Sequence, residues 1–187
     1  MKHLVQRLRT TEGAEIAEAA LVLPVVFLFL LGIIWFGRAF NIYASITQAA
    51  QQAAIVAARP TCASCSPPVP PWPGTNFPGD VAVRDTVLTF IQASNLNPSL
   101  IPPNTNVKPS VFCDVPPPAG ECSPSATTGN ITICRQVLLN PPKEPTKPQI
   151  CGAFVSFQYN FSLNLPFSSL NMTQIKMSAQ AQSRMEN

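Results

Sequence analysis

Six cysteines, one histidine and one glycine–glutamate spacing are the residues of this chain with the types to do chemistry. Cys62-x-x-Cys65 has the spacing of an exchange-active dithiol, which works when it opens a helix in a thioredoxin-like unit. Here it follows a helix end and runs into prolines, so a thiol-disulfide enzyme would rest on Cys62 and Cys65 alone. The sole histidine, His3, stands at the N-terminus. A Ser-His-Asp or Cys-His centre needs an imidazole held against its nucleophile, so that chemistry is not expected. Cys65 is followed by Ser66, which breaks the haem-attachment pattern. With no usable histidine a zinc site is not expected either, and the chain reads as a non-enzyme without metal or cofactor.

The other four cysteines are Cys113, Cys122, Cys134 and Cys151, and all six are disulfide candidates. Sequence alone leaves their connectivity open. Loop geometry favours Cys113–Cys122 around a proline loop and Cys134–Cys151 across a hairpin, with Cys62 and Cys65 left over.

The glycine–glutamate spacing is Gly13-Ala14-Glu15-Ile16-Ala17-Glu18, directly ahead of an apolar run. A carboxylate at the lip of a membrane helix is costly unless paired or solvated. If the chain were cut after Gly13, Ala14 would carry a positive amine one helical turn from Glu18. Lys2, Arg7 and Arg9 would leave with the leader.

These residues need elements to position them. Ala19 to Gly37 is an uncharged stretch of mostly Leu, Val, Ile and Phe. A bilayer core of ~30 Å takes about 20 residues of helix, so this run can span it. A cleaved signal peptide would have a shorter apolar core, about 7–15 residues, and a small-x-small end. Trp35 and Phe36 fall where an aromatic belt belongs, beside Arg38. Lys2, Arg7 and Arg9 on one side, against Arg38 and Arg59 on the other, place the N-terminus in the cytoplasm. All six cysteines then lie on the exported side, where disulfides persist.

Past the membrane, Arg38 to Arg59 has no glycine or proline and is rich in alanine and glutamine. Asn41, Ser45, Gln48 and Gln52 form a polar stripe, and Ile42, Ile46, Ala49, Ala53 and Val56 an apolar one. One helix is predicted from Glu15 to Ala58, stopped by Pro60 and interrupted early by Pro24.

Residues 12–59 closely resemble the TadE-like family, pilin-like (pseudopilin) proteins of the tight-adherence, Flp-type pilus and secretion machinery. Gly13 and Glu18 at prepilin spacing carry the resemblance, with Ala20-Leu21-Val22-Leu23-Pro24, Phe36-Gly37-Arg38 and the alanine-rich Gln48 to Arg59. Where an aromatic commonly follows the glutamate, this chain has Ala19. The resemblance implies cleavage between Gly13 and Ala14 by a prepilin peptidase, and assembly roles for Glu18 and Pro24. It also implies other pilin-like subunits and pilus assembly proteins as partners.

Nineteen of the 21 prolines lie between Pro60 and Pro148, in stretches read as surface loops or extended segments. Between them Asp80 is expected to cap a helix over Val81–Ala93, with Val83, Val87, Phe90 and Ile91 on one side. Val107–Cys113, Asn130–Leu138, Ala153–Leu165 and Thr173–Arg184 read as strands. The expected fold class is α+β. A long N-terminal transmembrane, pilin-like helix precedes a small disulfide-braced extracytoplasmic domain of one helix and about four antiparallel strands. The expected organisation is a leader over 1–13, the helix over 14–59 and the proline- and cysteine-rich domain over 60–187.

A charged fraction of 11% and a net charge of +3 leave no nucleic-acid face. The expectation is a pilin-like subunit in the bacterial inner membrane, single-pass, able to enter a surface pilus. The alternative is a permanently anchored extracytoplasmic binding module presenting its proline-rich surface to a partner.

Overall fold

The computed structural model describes residues 11–60, 77–103, 109, 111–113, 122, 129–140, 148–163 and 172–185. The chain divides into two compact units, residues 1–41 and 42–187. Helix α1, Thr11–Ala58, contributes to both. Pro24 lies inside it and removes one hydrogen bond from the ladder without ending the helix.

In the first unit α1 is the described element, and its side chains from 15 to 30 are all exposed. In the second unit the same helix buries one face. Ile46, Ala49, Ala50, Ala53, Ala54, Ala57 and Ala58 are fully buried, at steps of three and four. Of the polar stripe, Asn41 and Gln48 are exposed, whereas Ser45 and Gln52 are half-buried. Arg59 donates its N–H to Ile55 (3.1 Å), and Pro60 follows.

Helix α2, Asp80–Ala93, adds Val83, Val87 and Ile91 to this core. Phe90 is only half-buried. The expected cap is corrected: Gly79 occupies the N-cap position with no side-chain bond, and Asp80 is the first helical residue. Its carboxylate pairs with Arg135 from across the domain, so it is turned away from the capping role. The C-terminus closes as a Schellman motif, with Leu96 N–H on Ile91 O (3.0 Å) and Asn95 N–H on Gln92 O (2.9 Å). Asn95 takes the left-handed conformation (φ 56°) that this motif demands. A 3-10 turn, Pro98–Leu100, follows, with the Asn97 side chain accepting from Ser99 N–H.

Strands β1 (Thr132–Leu138), β2 (Cys151–Leu163) and β3 (Met172–Arg184) form an antiparallel sheet in the order β1-β2-β3. The described residues hold three strands where about four were expected. From the expected strand over 107–113, Phe112 bridges to Val137 in β1 without building an element among the described residues, and residues 107, 108 and 110 lie outside the described set. β1 is buried throughout, and β2 is buried on both faces from Gly152 to Phe157.

One irregularity organises β1. Cys134 opposes Phe154 and Val137 opposes Gly152, so three steps on β1 match two on β2. That is a bulge, and Gln136 within it has φ 56°. In a regular strand, residues three apart face opposite sides. The bulge puts Cys134 and Val137 together with Phe154 in one cluster, against which Phe112, Cys122 and Leu139 pack. It also accompanies Arg135 reaching the start of α2, where it donates to the Asp80 carboxylate and to Pro78 O (2.7 Å).

Gly152 has no room for a side chain. A Cβ there would come within 2.2 Å of the Ser183 carbonyl and 2.6 Å of Leu139 Cδ1.

Candidate functional site

The disulfides are Cys113–Cys151 and Cys122–Cys134. Both pairings that loop geometry favoured are therefore wrong, and the sheet register says why. Cys151 opposes Leu138, whereas Cys134 opposes Phe154. Four residues of strand separate Leu138 from Cys134, about 13 Å at ~3.3 Å per residue, too far for a bond that needs Cα atoms within ~7 Å. Cys122 instead bridges directly opposite Cys134. Cys113 donates its N–H to Gln136 O (2.8 Å), which sets it 6.1 Å, Cα to Cα, from Cys151. Among the described residues no cysteine is free. Cys62 and Cys65 lie outside them.

These bonds brace the sheet, while the residues singled out for processing and assembly all lie on α1. Gly13 and Ala14 have helical backbone, and Glu15 and Glu18 are exposed. Ala14 and Glu18 are four residues apart, so they share a face at about 6 Å of axial rise. Pro24 lies within the helix, and its ring nitrogen offers no hydrogen to the carbonyl of Ala20.

What surrounds these residues is the informative part. Leu21, Val22, Leu23, Val25, Val26, Phe27, Leu28, Phe29 and Leu30 are each between 46% and 74% exposed. Successive helix positions are turned by about 100°, so such a run covers every face of the cylinder. A core helix would bury at least one side. The most apolar 18-residue window of α1 has a mean hydropathy of 2.8 and none of it is buried within the chain. Each large apolar side chain gains about 1.5–3 kcal/mol on leaving water. A helix this apolar on all sides therefore needs lipid or other helices around it, which suggests a single-pass membrane anchor.

The aqueous end of the apolar run is marked by a contact. The Arg38 guanidinium lies over the Trp35 ring, 5.7 Å from its centroid. Phe36 and Phe40 nearby are 70% and 69% exposed.

Sequence reading missed Arg135, Gln136 and their bulge. The available signal was a charged and an amide residue, Arg135-Gln136, interrupting the run of strand-forming residues in β1.

No curated protein and no solved structure matches the chain. The model of the TadE-like protein family matches residues 13–54, under a quarter of the chain. The matched segment opens at Gly13, contains the whole exposed apolar run and ends inside the buried alanine face. That family is associated with pilus assembly and is not known for enzymatic activity. Residues 13–54 are thus similar to the TadE-like family, a likeness that suggests a pilin-like protein associated with the Tad pilus.

Proposed function

We propose that this chain is a pseudopilin subunit that takes part in assembling a Tad/Flp-type pilus or secretion apparatus, matured by cleavage after Gly13. The observation that carries the reading is the coincidence of the family match with a helix whose apolar surface is exposed on every side. In this reading a prepilin peptidase cuts between Gly13 and Ala14 and removes the basic leader. The N-terminus faces the cytoplasm of the bacterial inner membrane, and residues 60–187 form the extracytoplasmic domain. The mature helix then leaves lipid for a filament, where other pilin-like subunits cover it. Glu18, on the face of the new Ala14 amine, neutralises that charge or its equivalent on a neighbouring subunit. Pro24 frees a backbone carbonyl and gives the helix a point of bending during packing.

The test is N-terminal sequencing of the protein recovered from cells that express the rest of the pathway. The mature chain should start at Ala14, and Gly13→Leu should leave it uncut. A Met1 start in those cells would remove the pseudopilin mechanism and favour the permanently anchored binding module, which needs no cut.

A further inference from the structure

We propose that the outer edge of β3 is an interface through which two copies of this chain pair, each β3 lying antiparallel to the other. The two edges of the sheet differ. The outer edge of β1 is engaged: Phe112 bridges Val137, Cys122 bridges Cys134, and Leu138 donates its N–H to Val111 O (3.2 Å). β3 forms the opposite edge, and among the described residues no backbone pairs with it there. Met185 donates its N–H to Cys151 O at the start of β2 (3.1 Å), so that residue faces inward. Backbone groups alternate in direction along an antiparallel strand, and the pairing on β2 is regular from Ile175 to Arg184. Lys176, Ser178, Gln180, Gln182 and Arg184 therefore turn their N–H and C=O groups away from β2. All five side chains are exposed. Sheets blunt an open edge with proline, a bulge or charged side chains. From Met177 to Ser183 this edge has none of these.

The row of side chains fits a second copy better than a different peptide. Between the cations Lys176 and Arg184 stand Ser178, Gln180 and Gln182, each both a donor and an acceptor. A charged peptide finds no counter-charge along that stretch, whereas the row is its own complement. Charge then selects the register. Antiparallel pairing centred on Gln180 sets Lys176 directly opposite the partner's Arg184, and like charges there oppose pairing. Centred on Ala179, it sets Lys176 opposite the partner's Gln182 and Ser178 opposite the partner's Gln180, so no two cations meet. Each of these pairs exchanges two backbone hydrogen bonds. Both copies use the same residues, which makes the contact a closed two-fold interface. It does not depend on cleavage after Gly13.

The experiment uses the full chain in detergent, with the photocrosslinking residue p-benzoylphenylalanine in place of Gln182. Illumination should give a crosslinked dimer whose peptide map joins residue 182 to residues 174–178 of the other copy. Gln180→Pro removes an N–H that points away from β2, so the β2–β3 ladder stays whole. By symmetry it takes two hydrogen bonds from each dimer and should lower the crosslink yield about tenfold or more. Ser178→Arg combined with Gln180→Arg keeps every N–H and should lower the yield as well, by setting like charges opposite each other. Ser178→Asp combined with Gln180→Arg should restore it. Yields are compared at unchanged melting of the second unit. The paired arginines replace exposed side chains only, so they carry the test if the proline unfolds the domain. An unchanged yield with the paired arginines would overturn the interface. So would a crosslink that maps outside β3, or no crosslinked dimer at all.

Discussion

Helix α1 meets two different surroundings along one continuous backbone. Between residues 15 and 41 its apolar side chains are large and almost all exposed, whereas from Ile42 onward its buried face is mostly alanine. The difference shows that hydrophobicity and burial need not run together. The more apolar half is the one the chain does not cover, which suggests that its covering comes from outside the chain. The alanine half buries little area per residue, but small side chains let packed neighbours approach closely at native density. A domain resting on so thin a helix face draws on two described disulfides and a buried sheet for the rest of its stability.

The comparison breaks most visibly at Glu18. Solvated at a membrane lip, that carboxylate is dispensable to anchoring. Inside an assembled, water-poor helix bundle, losing one partner of a buried charge pair costs about 3–5 kcal/mol. Glu18→Gln should therefore leave insertion and disulfide formation intact but abolish co-assembly, measured by crosslinking or sheared-filament yield at matched membrane levels. Glu15→Gln should be mild, since fraying keeps the second residue of a mature chain solvated. Equal, wild-type yields from both would set the uncovered half down as an anchor only.

The disulfides come next. Replacing Cys122 and Cys134 by serine should cost the second unit about 2–5 kcal/mol. The loss should show in its thermal midpoint while vesicle flotation through the first unit is unchanged. Peptide mapping of the oxidised protein should recover 113–151 and 122–134 links. A 134–151 link would contradict the register of β1 on β2.

Substitutions of similar size on α1 sharpen the contrast further. Ala53 is fully buried and Leu28 is 69% exposed. Ala53→Leu should destabilise the second unit by about 1–3 kcal/mol through overpacking. Leu28→Ala should leave that unit's melting unchanged and weaken only membrane partitioning. Equal melting shifts would mean that the two halves share one core.

The two halves were also unequally legible in the sequence. The apolar run, the stripes of α1 and the positions of α2, β2 and β3 follow from periodicity, because a helix or strand repeats its environment at a fixed step. The disulfide pairing was not legible, because it depends on register, and register depends on the bulge at Arg135-Gln136. Asp80 shows the same limit. Its type and place made it a good local cap, yet an arginine 55 residues later claims its carboxylate. Local rules describe what a residue can do. A distant partner decides which option it takes.

The smallest expected effect isolates one hydrogen bond in the second unit. Tyr159 on β2 is 3% exposed, and its hydroxyl accepts the Asn97 N–H at 3.2 Å, tying the turn after α2 to the sheet. Burial pushes the phenol above its ordinary value of 10.0, and the Asn97 hydrogen bond offsets part of that rise. The folded state therefore holds this proton more tightly than the unfolded chain does. Below the unfolded value both states are protonated and the contribution to stability is complete. As pH rises past about 10 the unfolded chain ionises first, and that contribution is lost on the way to the folded value. Tyr159→Phe should cost about 1 kcal/mol at neutral pH, since the Asn97 N–H loses its acceptor. The same variant should have a flatter stability curve above pH 10, so the gap between the two proteins narrows there. Denaturant midpoints of the second unit at pH 7 and across pH 9.5–11 measure both effects in one series. A gap that stays constant across that range would mean that the Tyr159 proton is held no more tightly in the folded domain than in the unfolded chain.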